Sequence, residues 1–344
     1  MIVFCNHLFA QWQLSLTLKN NESIAGISAP TNKVIWCVSQ NFFIYKTNNA
    51  GKDWSRIKCN GLTTNISILQ LFAVDAATAF LSVDKNTGVG PGIVYKTIDS
   101  GHNWLPVFTH KGTCNILISM FDAEQGLLAC SFDSFNGSIP AGENLYSTYN
   151  SGNTWMIDSA VTPKSFILDL EAKSHKAAFI DYNNFYYSSN RSGTFPLRYS
   201  IPHPSDPKSY LQFEDSNYVI FNSSSLIDII VRRPASNGWI DMHTPQEVVA
   251  GAVTAIVLDG NECWMSEAFD TNQLYYSSDS AKTFTPTVPI QNSSFQFLTK
   301  ARTGKTLVGG TPSFTNGQIW LNKRQATTAN NISVTSERFP AVEQ

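Results

Sequence analysis

The residues Tyr45-Lys46-Thr47-Asn48-Asn49-Ala50-Gly51-Lys52-Asp53-Trp54 return as Tyr95-Lys96-Thr97-Ile98-Asp99-Ser100-Gly101-His102-Asn103-Trp104. They return again as Tyr146-Ser147-Thr148-Tyr149-Asn150-Ser151-Gly152-Asn153-Thr154-Trp155. The shared frame is aromatic-x-Thr-x-(Asn/Asp)-x-Gly-x-x-Trp. Two weaker copies follow, one with Asn190 and Phe195 and one with Asp279 and Phe284. In them Ser192 and Ala281 replace the glycine. Turn chemistry accounts for each residue type. Asn or Asp accepts backbone N–H bonds two or more residues on. Glycine adopts a backbone angle that a Cβ opposes. The ring supplies a large apolar surface to bury.

The Asn/Asp positions 49, 99, 150, 190 and 279 lie 50, 51, 40 and 89 residues apart, so the last gap spans two repeats. The skipped copy fits Ile230 to Trp239, where Pro234 and Ser236 replace the Asp and the Gly. Gly317-Gln318-Ile319-Trp320-Leu321 repeats the strand that precedes each turn. Such strands end near 45, 95, 146, 187, 230, 276 and 320, giving seven units of 40 to 51 residues. That is the period of propeller blades. Earlier strands fit Ser23–Ser28, Val34–Val38, Ile68–Val74, Ala79–Val83 and Val253–Leu258, punctuated by Gly, Asn, Asp and Pro. Without a sustained 3.6-residue period, helix content should be very low.

The pattern resembles the Asp-box, or BNR, repeat, (Ser/Thr)-x-(Asp/Asn)-x-Gly-x-(Ser/Thr)-(Trp/Phe). Asp53 and Asn103 depart from it at the second Ser/Thr position. The resemblance covers residues 12–335 and implies an all-β, seven-bladed propeller. The last unit needs an outer strand. Trp12–Leu18 at the N-terminus and Ile332–Thr335 at the C-terminus compete for it, the former favoured. Residues 336–344 form a tail. Residues 1–11, apolar and ending in Leu8-Phe9-Ala10, read as a signal-peptide remnant or a buried first strand. A secreted, periplasmic or cell-surface protein is expected.

Asp-box propellers include sialidases, other glycosidases, photosystem II assembly-factor-like proteins and receptors. The motif specifies a fold, and function has to be argued from a site. In the family the boxes lie away from the catalytic pocket. Asn49, Gly51, Trp54, Asp99, Gly101, Trp104, Asn150, Gly152, Trp155, Asn190, Phe195, Asp279 and Phe284 are therefore expected to be structural. A sialidase of this type holds its substrate carboxylate with three arginines. The eight arginines here sit mostly in turns and outer strands, which disfavours that activity. A glycosidase needs two carboxylates across a cleft, about 5 to 9 Å apart. Asp84, Asp133, Glu143, Glu267 and Asp270 lie in loops opposite the boxes and are the candidate ligand contacts. Solvated loop acids are the plainer reading of each.

Composition narrows the partners. Charged residues make up 15% of the chain, with 24 Lys+Arg against 26 Asp+Glu. That balance disfavours nucleic acid, which needs a basic face. No apolar run reaches membrane-spanning length. Neither CxxC nor clustered histidine appears, so no metal or other cofactor is expected. Cys37, Cys130 and Cys263 fall in apolar runs and should be buried. Cys59 and Cys114 are the one candidate disulfide, following turn tryptophans by five and ten residues. These readings converge on a monomeric binding module for a glycan or protein ligand, with a glycoside hydrolase as the alternative.

Overall fold

The computed structural model describes residues 12–322, apart from 64, 86–90, 112–113, 133–141, 159–166, 182–183, 191–194, 196, 201–211, 215–217, 224–227, 236–237, 244–251, 261, 269–273, 280–282, 288–294 and 312–315. Its described elements are all strands. After β1 (Trp12–Thr17), a first sheet runs β2 (Ile24–Ser28), β3 (Ile35–Ser39), β4 (Phe43–Thr47) and β5 (Ser55–Lys58). The second is β6 (Ile66–Ala73), β7 (Ala79–Lys85), β8 (Gly92–Thr97) and β9 (Leu105–His110). The third is β10 (Cys114–Met120), β11 (Gly126–Phe132), β12 (Gly142–Thr148) and β13 (Met156–Ile157). The fourth is β14 (Ile167–Lys173), β15 (Lys176–Asp181), β16 (Asn184–Ser188) and β17 (Leu197–Ser200). The fifth is β18 (Gln212–Glu214), β19 (Tyr218–Ser223), β20 (Asp228–Ala235) and β21 (Gly238–His243). The sixth is β22 (Ala252–Asp259), β23 (Glu262–Ala268), β24 (Leu274–Ser277) and β25 (Thr285–Pro286). The seventh joins β26 (Phe297–Lys300), β27 (Leu307–Thr311) and β28 (Gln318–Asn322) to β1.

Each sheet is an antiparallel meander of four strands, as connections of a few residues dictate. The inner strands β2, β6, β10, β14, β18, β22 and β26 touch in that order, and β26 touches β2 again. The architecture is thus a ring of sheets about a central channel, a β-propeller. Last and first sheets meet through Arg302 N–H to Ala29 O at 2.9 Å and Thr303 N–H to Pro30 O at 3.2 Å. At the outer edge, β1 pairs with β28 from Trp12–Asn322 to Thr17–Gln318. Residues 323–344, which include the rival Ile332–Thr335, lie outside the described residues.

Both faces of a sheet are covered by neighbours, so a strand serves two cores with alternate side chains. Trp36 and Val38 of β3 pack toward the second sheet, Ile35 and Cys37 toward the seventh. This is why Ile35-Trp36-Cys37-Val38 reads as a continuous apolar run. Cys37, Cys130 and Cys263 are fully buried.

Three expectations need correction. Cys59 is not disulfide-bonded: its thiol is buried against Trp104, and burial pushes its pKa up to about 12. The turn tryptophans are not equivalent. Trp104 is wholly buried, whereas Trp54 and Trp155 are half-buried. The chain after β5 accounts for the difference: Asn60 bonds His102 O through its N–H and Trp104 N–H through its carbonyl, covering that ring. Finally, at the degenerate copy the strand does not end near Ile230: β20 runs on to Ala235 and pairs with β21 from Ile230–His243 to Ala235–Gly238.

Candidate functional site

The repeated turns are closed hydrogen-bond cages. In the first, Thr47 Oγ1 accepts from Gly51 N–H at 3.0 Å and donates to Asn49 Oδ1 at 3.0 Å. Asn49 Oδ1 also accepts from Asp53 N–H at 2.9 Å. Thr97 with Asp99, and Thr148 with Asn150, repeat this. Ser277 and Asp279 keep the same core. Ser188 Oγ donates to Asn190 O at 2.7 Å, and Phe195 packs on Phe179 with ring centroids 5.4 Å apart. Backbone N–H of Asn103, then its side chain, Thr97 and His102 N–H, hold the Asp99 carboxyl down at about 2. With its oxygens committed inside the turn, this group has a structural task.

Each turn also docks on the preceding sheet. Gly101 has φ 91°, and a Cβ there would stand 3.1 Å from the Trp36 ring. Gly152 has φ 72°, with Phe80 of β7 only 2.5 Å from such a Cβ. Glycine is thus required for conformation and for close approach. Lys96 reaches across from β8 to Ser151 O at 2.7 Å and Asn153 Oδ1 at 2.8 Å. Lys46 does the same from β4, to Ala76 O and to Ser100 Oγ at 3.0 Å.

Antiparallel order puts the first-to-second and third-to-fourth strand turns at one end of the ring and the other connections at the opposite end. Of the loop acids, Asp84 closes β7 at that opposite end. It stands across from Gly92, which stands across from His110. Asp84 Oδ1 is buried without a hydrogen-bond partner. Burial raises its pKa, opposed by a bond from Lys85 N–H. Burial lowers the pKa of His110. Glu143 lies in β12 and Glu267 in β23, but their side chains, and all of Asp133 and Asp270, lie outside the described residues.

Two features escape the sequence reading. One is a cavity of about 300 Å³ in the channel, lined by Gln70, Ser119, Glu171, Lys300 and Arg302 among others. The inner strands meet there only after the ring forms, so no local pattern marks it. The other is a set of exposed apolar side chains: Ile98 (71%), Leu105 (69%), Tyr149 (58%), Met156 (59%) and Ile157 (58%). They flank the second and third turns, on successive sheets that Lys96 ties together. Ile98 and Tyr149 follow the turn threonines at a solvent-facing position, which is the signal that marks them in the sequence. Among the described residues, no group of three or more His, Cys, Asp or Glu is placed to hold a metal, and no helix is long and apolar enough to cross a membrane.

The architecture belongs to the β-propellers, and solved structures share it at low sequence identity. A structure titled "YCF48 bound to D1 peptide" superposes with TM-score 0.64 and 14% identity, over 90% of this chain and 96% of that one. YCF48 from Cyanidioschyzon merolae gives 0.62 and 12%, over 90% and 98%. The extracellular domain of the putative one-component system BT4673 from B. thetaiotaomicron gives 0.60 and 13%, over 92% of this chain and 40% of that one. No protein-family model matches the chain, and no curated protein matches it.

Proposed function

We propose that this chain is an interaction module whose partner is a protein or peptide. The observation that carries the reading is the apolar set Ile98, Leu105, Tyr149, Met156 and Ile157, exposed on a rigid scaffold. Apolar groups clustered on adjacent surface elements mark interaction sites more often than chance exposure does. A propeller neighbour bound to a peptide is consistent with it. In this reading the repeated turns are Asp boxes, the seven sheets are seven blades, and β1 closes the ring. Export to the periplasm or cell surface completes it, and the loops around Asp84 offer a second contact surface for a protein or glycan.

The test is selection of peptides from a displayed random library on the whole chain. Selected peptides should be rich in apolar residues and should lose affinity for Ile98→Lys and Met156→Lys. Peptides that bind both variants as well as the parent would place the surface elsewhere. Peptides lost instead on loop substitutions would locate it at the opposite end.

One observation favours the alternative, a glycoside hydrolase. Asp84 has a partly buried carboxyl with one oxygen unpartnered and a raised pKa, as a general acid requires. Hydrolysis of glycan substrates that disappears in Asp84→Asn, with folding unchanged, would establish it.

A further inference from the structure

We propose that the channel cavity binds a small monocarboxylate, held through its carboxylate by Arg302, with its apolar remainder against Leu71, Leu170, Ile256 and Leu298. Arg302 comes from the turn between β26 and β27 and crosses the channel. Its Nη2 donates to Met120 O at the end of β10 and lies 3.5 Å from Ala172 O in β14. The guanidinium sits over the Phe72 ring of β6, 4.7 Å from its centroid. Burial disfavours its charge, while Glu171 and Asp122 support it from beyond ion-pair distance.

Buried charges are ordinarily paired. No described carboxylate forms an ion pair with Arg302. A guanidinium has five N–H donors in a planar fork that matches a carboxylate. Backbone carbonyls meet only one edge of it. Lys300 is paired with Asp259 at 2.8 Å and Ser119 Oγ donates to Ala172 O at 3.3 Å, but two other donors remain for a ligand. Gln70 uses Oε1 to accept from Ile118 N–H at 2.7 Å, which leaves its amide NH₂ group. Lys173 lines the cavity with no partner among the described residues. The missing partner is thus an acceptor that carries negative charge. Asp169 and Glu171 line the same space and repel a polyanion, which selects a single charge. The volume, about 300 Å³, is at the lower end of small-molecule sites.

The competing role is a strut, with Arg302 only bracing four sheets. Calorimetric titration of the whole chain with acetate, hexanoate and benzoate separates the two, with hexanamide and sulfate as controls at matched ionic strength. Saturable binding of hexanoate or benzoate is expected, with hexanamide and sulfate at least about tenfold weaker. Arg302→Gln should weaken the carboxylate by roughly ten- to hundredfold. Where Arg302→Gln fails to fold, Leu298→Trp fills the cavity and leaves the guanidinium intact, and it should abolish binding. Absence of saturation by all three carboxylates, equal binding of hexanamide, or undiminished binding by the variant that folds overturns the proposal in favour of the strut.

Discussion

The side-chain amide of Asn49 donates to the carboxylate of Asp53 at 2.7 Å. One sheet later the same bond runs in reverse, with Asn103 donating to Asp99 at 2.7 Å. The two turns carry one carboxylate and one amide each, with the positions exchanged. The third pairs Asn150 with the Thr154 hydroxyl at 2.9 Å, and the sixth sheet pairs Asp279 with Thr283 at 2.6 Å. What the turn demands is donor–acceptor complementarity across four residues. Asp53 and Asn103 depart from the repeat pattern but satisfy that demand.

Asn49→Asp therefore sets two carboxylates against each other. It should destabilise the protein by about 1 to 2 kcal/mol at neutral pH, and Asn49→Asp/Asp53→Asn should recover most of the loss. Urea unfolding of the four proteins in the cycle measures the coupling. Additive losses in the double variant would show that the pair does not act as a unit.

The second turn should respond to acid. Asp99 has a folded pKa of about 2, below the unfolded value of about 3.9. A carboxylate depressed in the folded state contributes stability that is present above the unfolded pKa and fades as pH falls through the folded one. The loss should run from about pH 4 down to pH 2. An amide binds no proton in that range, so Asp99→Asn should flatten this part of the profile. Parallel profiles for parent and variant between these limits would refute the assignment.

Trp104→Ala should cost about 3 to 5 kcal/mol, the range for a buried large ring. Trp54→Ala should cost distinctly less, because that ring is half exposed and its Nε1 bonds only Ser15 Oγ, at 3.1 Å. Equal losses would mean that the cover supplied by Asn60 contributes nothing.

The repeat was legible because each turn is local chemistry. Thr47, Asn49, Gly51 and Asp53 bond to one another within a single turn, so spacing and residue type were enough. The strand series ending near 45, 95 and 146 was legible for the same reason. The burial of Trp104 was not, since its cover comes from Asn60, in the chain that follows the preceding sheet. Arg302 lies in the turn between β26 and β27, but its carbonyl partners are 182 and 130 residues away. The Cys59–Cys114 pairing failed on the same ground. Shared offsets from two turns say little of what lies between them, and Trp104 occupies that space beside Cys59.

Lys96 offers a test of how turns and sheets hold one another. Its ammonium is buried, bonded to Ser151 O at 2.7 Å and Asn153 Oδ1 at 2.8 Å, and sits 5.8 Å from the Phe80 ring centroid. Burial lowers its pKa without an acidic partner to offset it. The corresponding residue of the third sheet is Ser147, which bonds Asp158 at 3.2 Å within its own sheet. The lysine link thus joins first to second and second to third sheets and stops where the turns begin to degenerate. Lys96→Met keeps the aliphatic stem over Phe80 and removes the donors. It should cost about 1 to 3 kcal/mol, since bonds from a charged donor are lost and a buried carbonyl is left unmet. Adding Ser147→Lys should not compensate, because by the repeat a lysine at that position points toward the fourth sheet and not back to Ser151. Amide exchange should quicken at Gly152 and Thr154 in Lys96→Met while remaining unchanged at Gly51 and Asp53. Uniform acceleration across all the turns would show that the lysine stabilises the ring as a whole and does not fasten one turn to one sheet.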